Sequence, residues 1–233
     1  QRYNISAEEV RAYFPLDKVL EGMFNIAKHL YGITIVEKPE VDVWHENVRY
    51  FELHSEGECI AGFYADLFVR KNKKGGAWMA ECRVRRKLTD GSIQKPIAYL
   101  TCNFTPAGTE DPSLLTHNEL TTLFHEFGHA LHHMLSKVDY AGVSGINGVA
   151  WDAVELPSQL MENWCWQAES LSLISSHYQT GVCLPEELLE KMLAAKNFQA
   201  GMQLFRQLEY ASFDFRLHLD YLPGQPDIVQ NIL

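Results

Sequence analysis

The chain has 233 residues, 46% of them hydrophobic and 21% charged, with a formal net charge of −10. That length and apolar content suffice for a buried core in one domain or two closely packed lobes. The acidic balance argues against nucleic acid as a partner, because such affinity needs clustered Lys and Arg, and no apolar run approaches the roughly 18–20 residues of a membrane span.

In chain order, Ser6-Ala7-Glu8-Glu9 has the form of a helix start, and Leu16 to Leu30 has helical spacing that ends near Gly32. From Val41 to about Phe104 the character changes. The segments Val48–Leu53, Ile60–Val69 and Ile97–Cys102 resemble strands separated by glycine-bearing turns. Arg70-Lys71-Asn72-Lys73-Lys74, followed by Gly75-Gly76, reads as a solvated turn, with binding of a substrate carboxylate as its alternative. Thr105 to Pro112 is a loop rich in Pro, Gly and Asp. Pro185-Glu186-Glu187 begins a further helix, and the spacing of Leu193, Phe198, Leu204 and Leu208 reads as core packing. The organisation is therefore 1–40 helical, 41–105 a small sheet, 116–170 two site-bearing helices with a glycine-rich loop, and 185–233 helical. The expected class is mainly α with a small β-sheet, an α+β arrangement.

His125-Glu126-Phe127-Gly128-His129 carries the chemistry. On a helix, residues i and i+4 share a face roughly 6 Å apart along the axis, so both imidazoles can turn to one metal ion. Glu126 is then placed to act as general base on a water at that ion, the arrangement of a zinc peptidase. Thr116-His117-Asn118-Glu119 has capping-box form and starts the helix, and Leu120, Leu123, Phe124, Phe127, Leu131, Met134 and Leu135 give it an apolar stripe.

A third ligand has to come from a second element. In Asp152 to Glu162, residues Glu155, Ser158, Gln159 and Glu162 fall at i, i+3, i+4 and i+7 as a polar stripe on a helix. Glu155 is the preferred ligand, giving a His₂Glu set with an open position, and Ser158, Gln159 and Glu162 are candidates to hydrogen-bond around it. The competing reading is a solvated helix face with Glu155 as an ordinary first-turn carboxylate. The long metzincin pattern would need Gly at 132 and His at 135, where this chain has His132 and Leu135. His132 is read as a hydrogen-bonding neighbour of the site and His133 as an ordinary helix residue. A structural zinc site would need a fourth protein ligand, for which His132 and His117 are the candidates.

The run Gly142-x-x-Gly145-x-x-Gly148 lacks the Lys-Ser/Thr of a P-loop and reads as a tight turn between the ligand-bearing helices. Cys59, Cys82, Cys102, Cys165 and Cys183 are odd in number, widely spaced and without a CxxC pair, which suggests free thiols in a reducing cytoplasm. Cytoplasmic localisation is the expectation.

The sequence resembles the thimet oligopeptidase family of zinc peptidases. The resemblance runs through residues 125–133, the loop 142–148 and the segment 155–164, and extends to Lys74-Gly75-Gly76-Ala77-Trp78-Met79 and to Ala98–Phe104. It implies a zincin-like fold with the HExxH helix beside the sheet. It also implies one Zn²⁺ held by His125, His129 and Glu155, Glu126 as the catalytic group, and short peptides cut at internal bonds as substrates. An edge strand could hold such a peptide extended, and Ile97 to Phe104 is the expected edge, with Ala98, Tyr99, Leu100 and the loop residue Gly145 as substrate contacts. Members of the family carry a downstream His/Tyr segment that serves the oxyanion and a long helical part before the sheet. This chain opens at Gln1 and ends at Leu233 without either, so it reads as an internal fragment partnered by the remaining segments of a parent peptidase. The alternative is a zinc- or peptide-binding fragment without activity on its own.

Overall fold

The computed structural model describes residues 5–109, 111–224 and 229–230. Glu110 of the predicted loop, and residues 225–228 and 231–233 of the predicted C-terminal helical stretch, lie outside the described residues. Two helices, α1 (Ala7–Arg11) and α2 (Leu16–Tyr31), precede the strands β1 (Thr34–Glu37), β2 (Arg49–Ser55), β3 (Glu58–Phe68), β4 (Trp78–Arg83), β5 (Arg86–Lys87), β6 (Ile93–Gln94) and β7 (Ile97–Phe104). Five helices follow: α3 (His117–Met134), α4 (Leu156–Glu162), α5 (Ala168–Ile174), α6 (Glu186–Lys196) and α7 (Ala200–Asp220). Helices and a small sheet therefore share the chain, as an α+β composition requires.

The main sheet has the order β1-β2-β3-β7-β4, antiparallel except for the parallel pair β3 and β7. On β2, Phe51 and Leu53 are buried while Tyr50, Glu52 and His54 alternate to the other face. The inner face meets α2 and α3. Phe24 of α2, Phe51 and Phe63 of the sheet, and Phe127 of α3 touch one another with ring centroids 5.0–6.3 Å apart. Gly22 lets α2 approach α5, because a Cβ there would stand 2.5 Å from Leu173 O. Gly32 ends α2 in the left-handed conformation, φ 67°, with its N–H on Lys28 O.

Four expectations need correction. The stretch 1–40 is not purely helical, since β1 lies within it; its four residues show no clean alternation of burial for a pattern to reveal. β7 is not the sheet edge. It pairs with β3 on one side and β4 on the other, and Ala98 and Leu100 are fully buried, so β4 is the edge. The basic run is not simply a solvated turn. Arg70 forks onto Asp66 at 2.5 and 2.8 Å, and the nearly buried Lys73 donates to Asp66 Oδ1 and to the carbonyls of Asp66, Phe68 and Cys102 at 2.6–2.8 Å, tying β3 to β7.

The fourth correction concerns the C-terminal helices. Leu193, Phe198, Leu204 and Leu208 are 43–60% exposed, and none of the 21 residues of α7 is buried. Only the Leu188, Leu189 and Met192 side of α6 reaches the core.

Candidate metal centre

The chemistry of α3 begins with its anchoring. Thr116 accepts the N–H of Glu119, and the Glu119 carboxylate accepts the N–H of Thr116, the capping box foreseen from sequence. The apolar stripe then buries Leu120, Leu123, Phe124, Phe127 and Leu131, which fixes the rotation of the helix. His125 and His129 emerge on the face toward α4, their ring centroids 4.9 Å apart and nearly perpendicular.

Gly128 sets the distance between the helices. A Cβ at that position would lie 2.6 Å from Pro157 O and from Ser158 Cα, so α4 can pack directly onto the backbone of α3 only at a glycine. The consequence is a shared focus. Glu155, at the N-cap of α4, places Oε2 3.1 Å from His125 Nε2 and 3.2 Å from His129 Nε2. Donor atoms of His125, His129 and Glu155 all lie within 4.8 Å of one another.

Hydrogen bonding shows that this focus suits a cation. His125 Nδ1 donates to Glu162 Oε1 at 2.6 Å, which leaves Nε2 of the neutral ring as an acceptor facing the Glu155 carboxylate, another acceptor. A proton or a metal ion must bridge such a pair. Ser158, fully buried, donates its hydroxyl to Glu155 Oε2 at 2.8 Å and to Glu155 O at 2.9 Å, so the carboxylate is held from behind. That hydroxyl, chiefly, lowers the pKa of Glu155 against the opposing effect of burial, with His129 and His125 adding to it. Burial lowers the pKa of His129 and favours the neutral ring that a metal requires, although the Glu155 charge pulls the other way.

Glu126 lies beside the focus and outside the donor cluster. It is 8% exposed, and burial raises its pKa despite the opposing influence of His125 and of the backbone N–H of Met79 on β4. The edge strand therefore reaches the carboxylate directly. His133, read from sequence as ordinary, is fully buried and donates from Nε2 to Arg83 O at 3.0 Å, tying α3 to the end of β4. Gly145, at φ 65°, leaves room for that ring, since a Cβ would meet His133 Nδ1 at 2.5 Å.

The remaining sequence candidates are placed as follows. Glu162 and Ser158 contact His125 and Glu155 respectively, as described. Gln159 is exposed, and its side chain makes no hydrogen bond among the described residues. His132 lines a cavity with Gly128, Leu131 and Gly145; among the described residues its buried Nδ1 has no hydrogen-bond partner, and it is outside the donor cluster. His117 packs on Trp166 and bonds Cys165 O at 2.9 Å, at the far end of α3 from the focus. Ala98 and Leu100 face the core, Tyr99 lies on the outer face against Tyr64 and Trp44, and Gly145 packs on His133, so these four do not form one substrate surface. The contacts of Gly128 and of Met79 went unnoticed in the sequence. The only available signal was the glycine inside a helix, which usually has a packing reason.

Comparison with known proteins gives the family. The family model described as Peptidase family M3 matches residues 1–232. Oligopeptidase A of Escherichia coli (strain K12) is 58% identical over 224 residues, 96% of this chain and 33% of that protein. The organellar oligopeptidase A of Arabidopsis thaliana, chloroplastic/mitochondrial, is 46% identical over 237 residues, covering 99% of the chain and 30% of the relative. Saccharolysin of Saccharomyces cerevisiae is 31% identical over 226 residues, covering 94% and 32%. The chain spans about a third of the length of these relatives. With its HExxH helix, its facing glutamate and a match along nearly the whole sequence, the chain belongs to peptidase family M3.

Proposed function

We propose that the chain is the metal-binding part of a zincin-like zinc endopeptidase that cuts internal bonds of short peptides. The observation that carries this reading is the pair of facing acceptors, His125 Nε2 and Glu155 Oε2, closed into a three-donor set by His129. Two imidazole nitrogens and one carboxylate are the donor set of a catalytic zinc site. His125, His129 and Glu155 would hold the ion, which supplies a Lewis acid for the scissile carbonyl and a water of lowered pKa.

The residues of the chain do the rest. Glu162 fixes the tautomer and direction of His125, and Ser158 fixes Glu155. Glu126 takes the proton of the attacking water and returns it to the leaving amine. Its burial raises its pKa toward the operating pH, which suits a group that must both accept and release a proton. β4 is the free edge of the sheet, and its Met79 N–H already points at Glu126. A peptide added along β4 by main-chain hydrogen bonds would cross the site in extended form, with little demand on its side chains. This replaces β7 as the substrate strand.

Relatives named oligopeptidase A support peptides as substrates, and the remaining segments of a longer peptidase are the expected partners of this chain. A cytoplasmic location accords with the five free cysteines, while relatives carry both cytosolic and organellar names. The test is cleavage of an internally quenched peptide by the chain placed within a protein of the relatives' length. Glu126→Gln should lower turnover by at least about 10²-fold, in the range for losing a general base. Unchanged turnover would remove Glu126 from the chemistry.

A further inference from the structure

The outer face of the sheet carries a second convergence of metal-ligating side chains. Pairing of β2 with β3 is regular up to Leu53 opposite Ala61 and then shifts, so that His54 stands opposite Cys59. Such a bulge re-aims the side chains next to it. The connecting residues Glu56 and Gly57 both have positive φ, 52° and 84°, as a two-residue type I′ turn requires, and they fix that register. Glu52 and His54 share the face opposite to the buried Phe51 and Leu53, and Cys59 joins them as the register partner of His54. This face is turned away from α3, which packs on the inner side through Phe127 against Phe63.

One donor atom from each of Glu52, His54 and Cys59 lies within 4.8 Å of the other two, and His54 Nε2 is 3.0 Å from Glu52 Oε2. All three residues are half-buried. Zinc–ligand bonds of about 2.0–2.3 Å place tetrahedral neighbours roughly 3.3–3.8 Å apart, so small side-chain rotations close the set. A thiolate, an imidazole and a carboxylate suit a zinc-class ion and not magnesium or calcium, which take oxygen ligands.

Competing contacts are weak. Cys59 Sγ reaches Ala61 O only at 3.6 Å, and Lys38 Nζ lies 3.7 Å from Glu52 Oε2 as a surface ion pair. The hydroxyl end of the Tyr50 ring lies over Gly62.

We propose that Glu52, His54 and Cys59 form a second, zinc-class metal site that staples the β2–β3 hairpin. Binding displaces the Cys59 thiol proton to solvent and forms three protein–metal bonds, with water completing the shell. Cobalt(II) titration of the chain tests this, because a thiolate ligand gives a near-ultraviolet charge-transfer band that the nitrogen and oxygen donors of His125, His129 and Glu155 cannot produce. The expected result is a band that saturates with one equivalent beyond the one that His125, His129 and Glu155 take up, is lost in Cys59→Ser, and needs at least about tenfold more cobalt in His54→Gln. Circular dichroism and the unfolding midpoint of each variant without metal establish that it is folded. No band at saturating cobalt, a band that survives Cys59→Ser, or unchanged affinity in His54→Gln would overturn the site.

Discussion

α3 and α7 show how little an apolar stripe says about its partner. Both are long helices with Leu and Phe at helical spacing, yet α3 buries residues along its whole length while α7 buries none. The difference lies in what surrounds them. α3 has a sheet on one side, α4 on another and a glycine that lets α4 reach its backbone. α7 leaves Met202, Phe205, Phe215 and Leu219 each at least two-thirds exposed. Amphipathicity selects the helix and its face, and the tertiary partner alone decides whether that face is core.

That contrast can be broken most forcefully at Phe127. Its ring is fully buried between Phe24 and Phe63, so Phe127→Ala should cost about 3–5 kcal/mol in urea unfolding. A cost below about 1 kcal/mol would mean that α3 is not the centre of the core.

Asp66 tests the lock that joins β3 to β7. Burial alone would raise its pKa, but hydrogen bonds from Arg70, Lys73 and Trp44 outweigh burial and bring it from 3.8 to about 2. Asp66→Asn should cost about 3 kcal/mol, because Lys73 would keep a nearly buried charge without a counter-ion. The pH dependence follows from the lowered value: the stabilisation is full well above pH 3.8 and is lost as pH falls from there through about 2, by about 2 kcal/mol in all. Unfolding curves across that range should lose this component in Asp66→Asn. Equal acid sensitivity of the variant and the parent chain would assign the effect elsewhere.

Gly128→Val should cost about 1–3 kcal/mol by forcing α4 away from α3. Its more specific effect is on the metal: with Glu155 moved from both histidines, zinc affinity should fall at least about tenfold by competition with a chromophoric chelator. Retained affinity would show that the close helix contact does not set the site. The smallest effect belongs to α7. Phe205→Ala should change stability by less than about 0.5 kcal/mol, since that ring is 69% exposed, and a larger loss would show that α7 has a partner within this chain.

Much of the candidate site was legible because its signals are local. The i,i+4 histidines and the capping box of Thr116 and Glu119 depend on helix periodicity, and α3 forms where that periodicity placed it; the second helix begins only at Leu156, so Glu155 is its N-cap in the preceding turn and not a residue within it. Three strands were legible too, as β2, β3 and β7 overlap the segments that resemble strands, while β1, β4, β5 and β6 were not read. Strand order was not legible. β7 reads as an edge or a centre equally well until its neighbours are known, and β4 carries mixed residues, Trp78 to Arg83, with no alternation. The same limit hid the role of Lys73, whose four acceptors come from two strands. It also hid His133, whose acceptor is the Arg83 carbonyl on the edge strand.

The central claim is that His125, His129 and Glu155 hold the metal while Glu126 stands beside it as the base. Zinc content after exhaustive dialysis tests it most directly, measured in a Cys59→Ser background so that the outer face of the sheet adds none. The account predicts about one zinc in that background and about one with Glu126→Gln added, against less than about a tenth of this with either His129→Ala or Glu155→Gln added. Full zinc in the His129→Ala protein, or zinc lost with Glu126 and kept without Glu155, would contradict it.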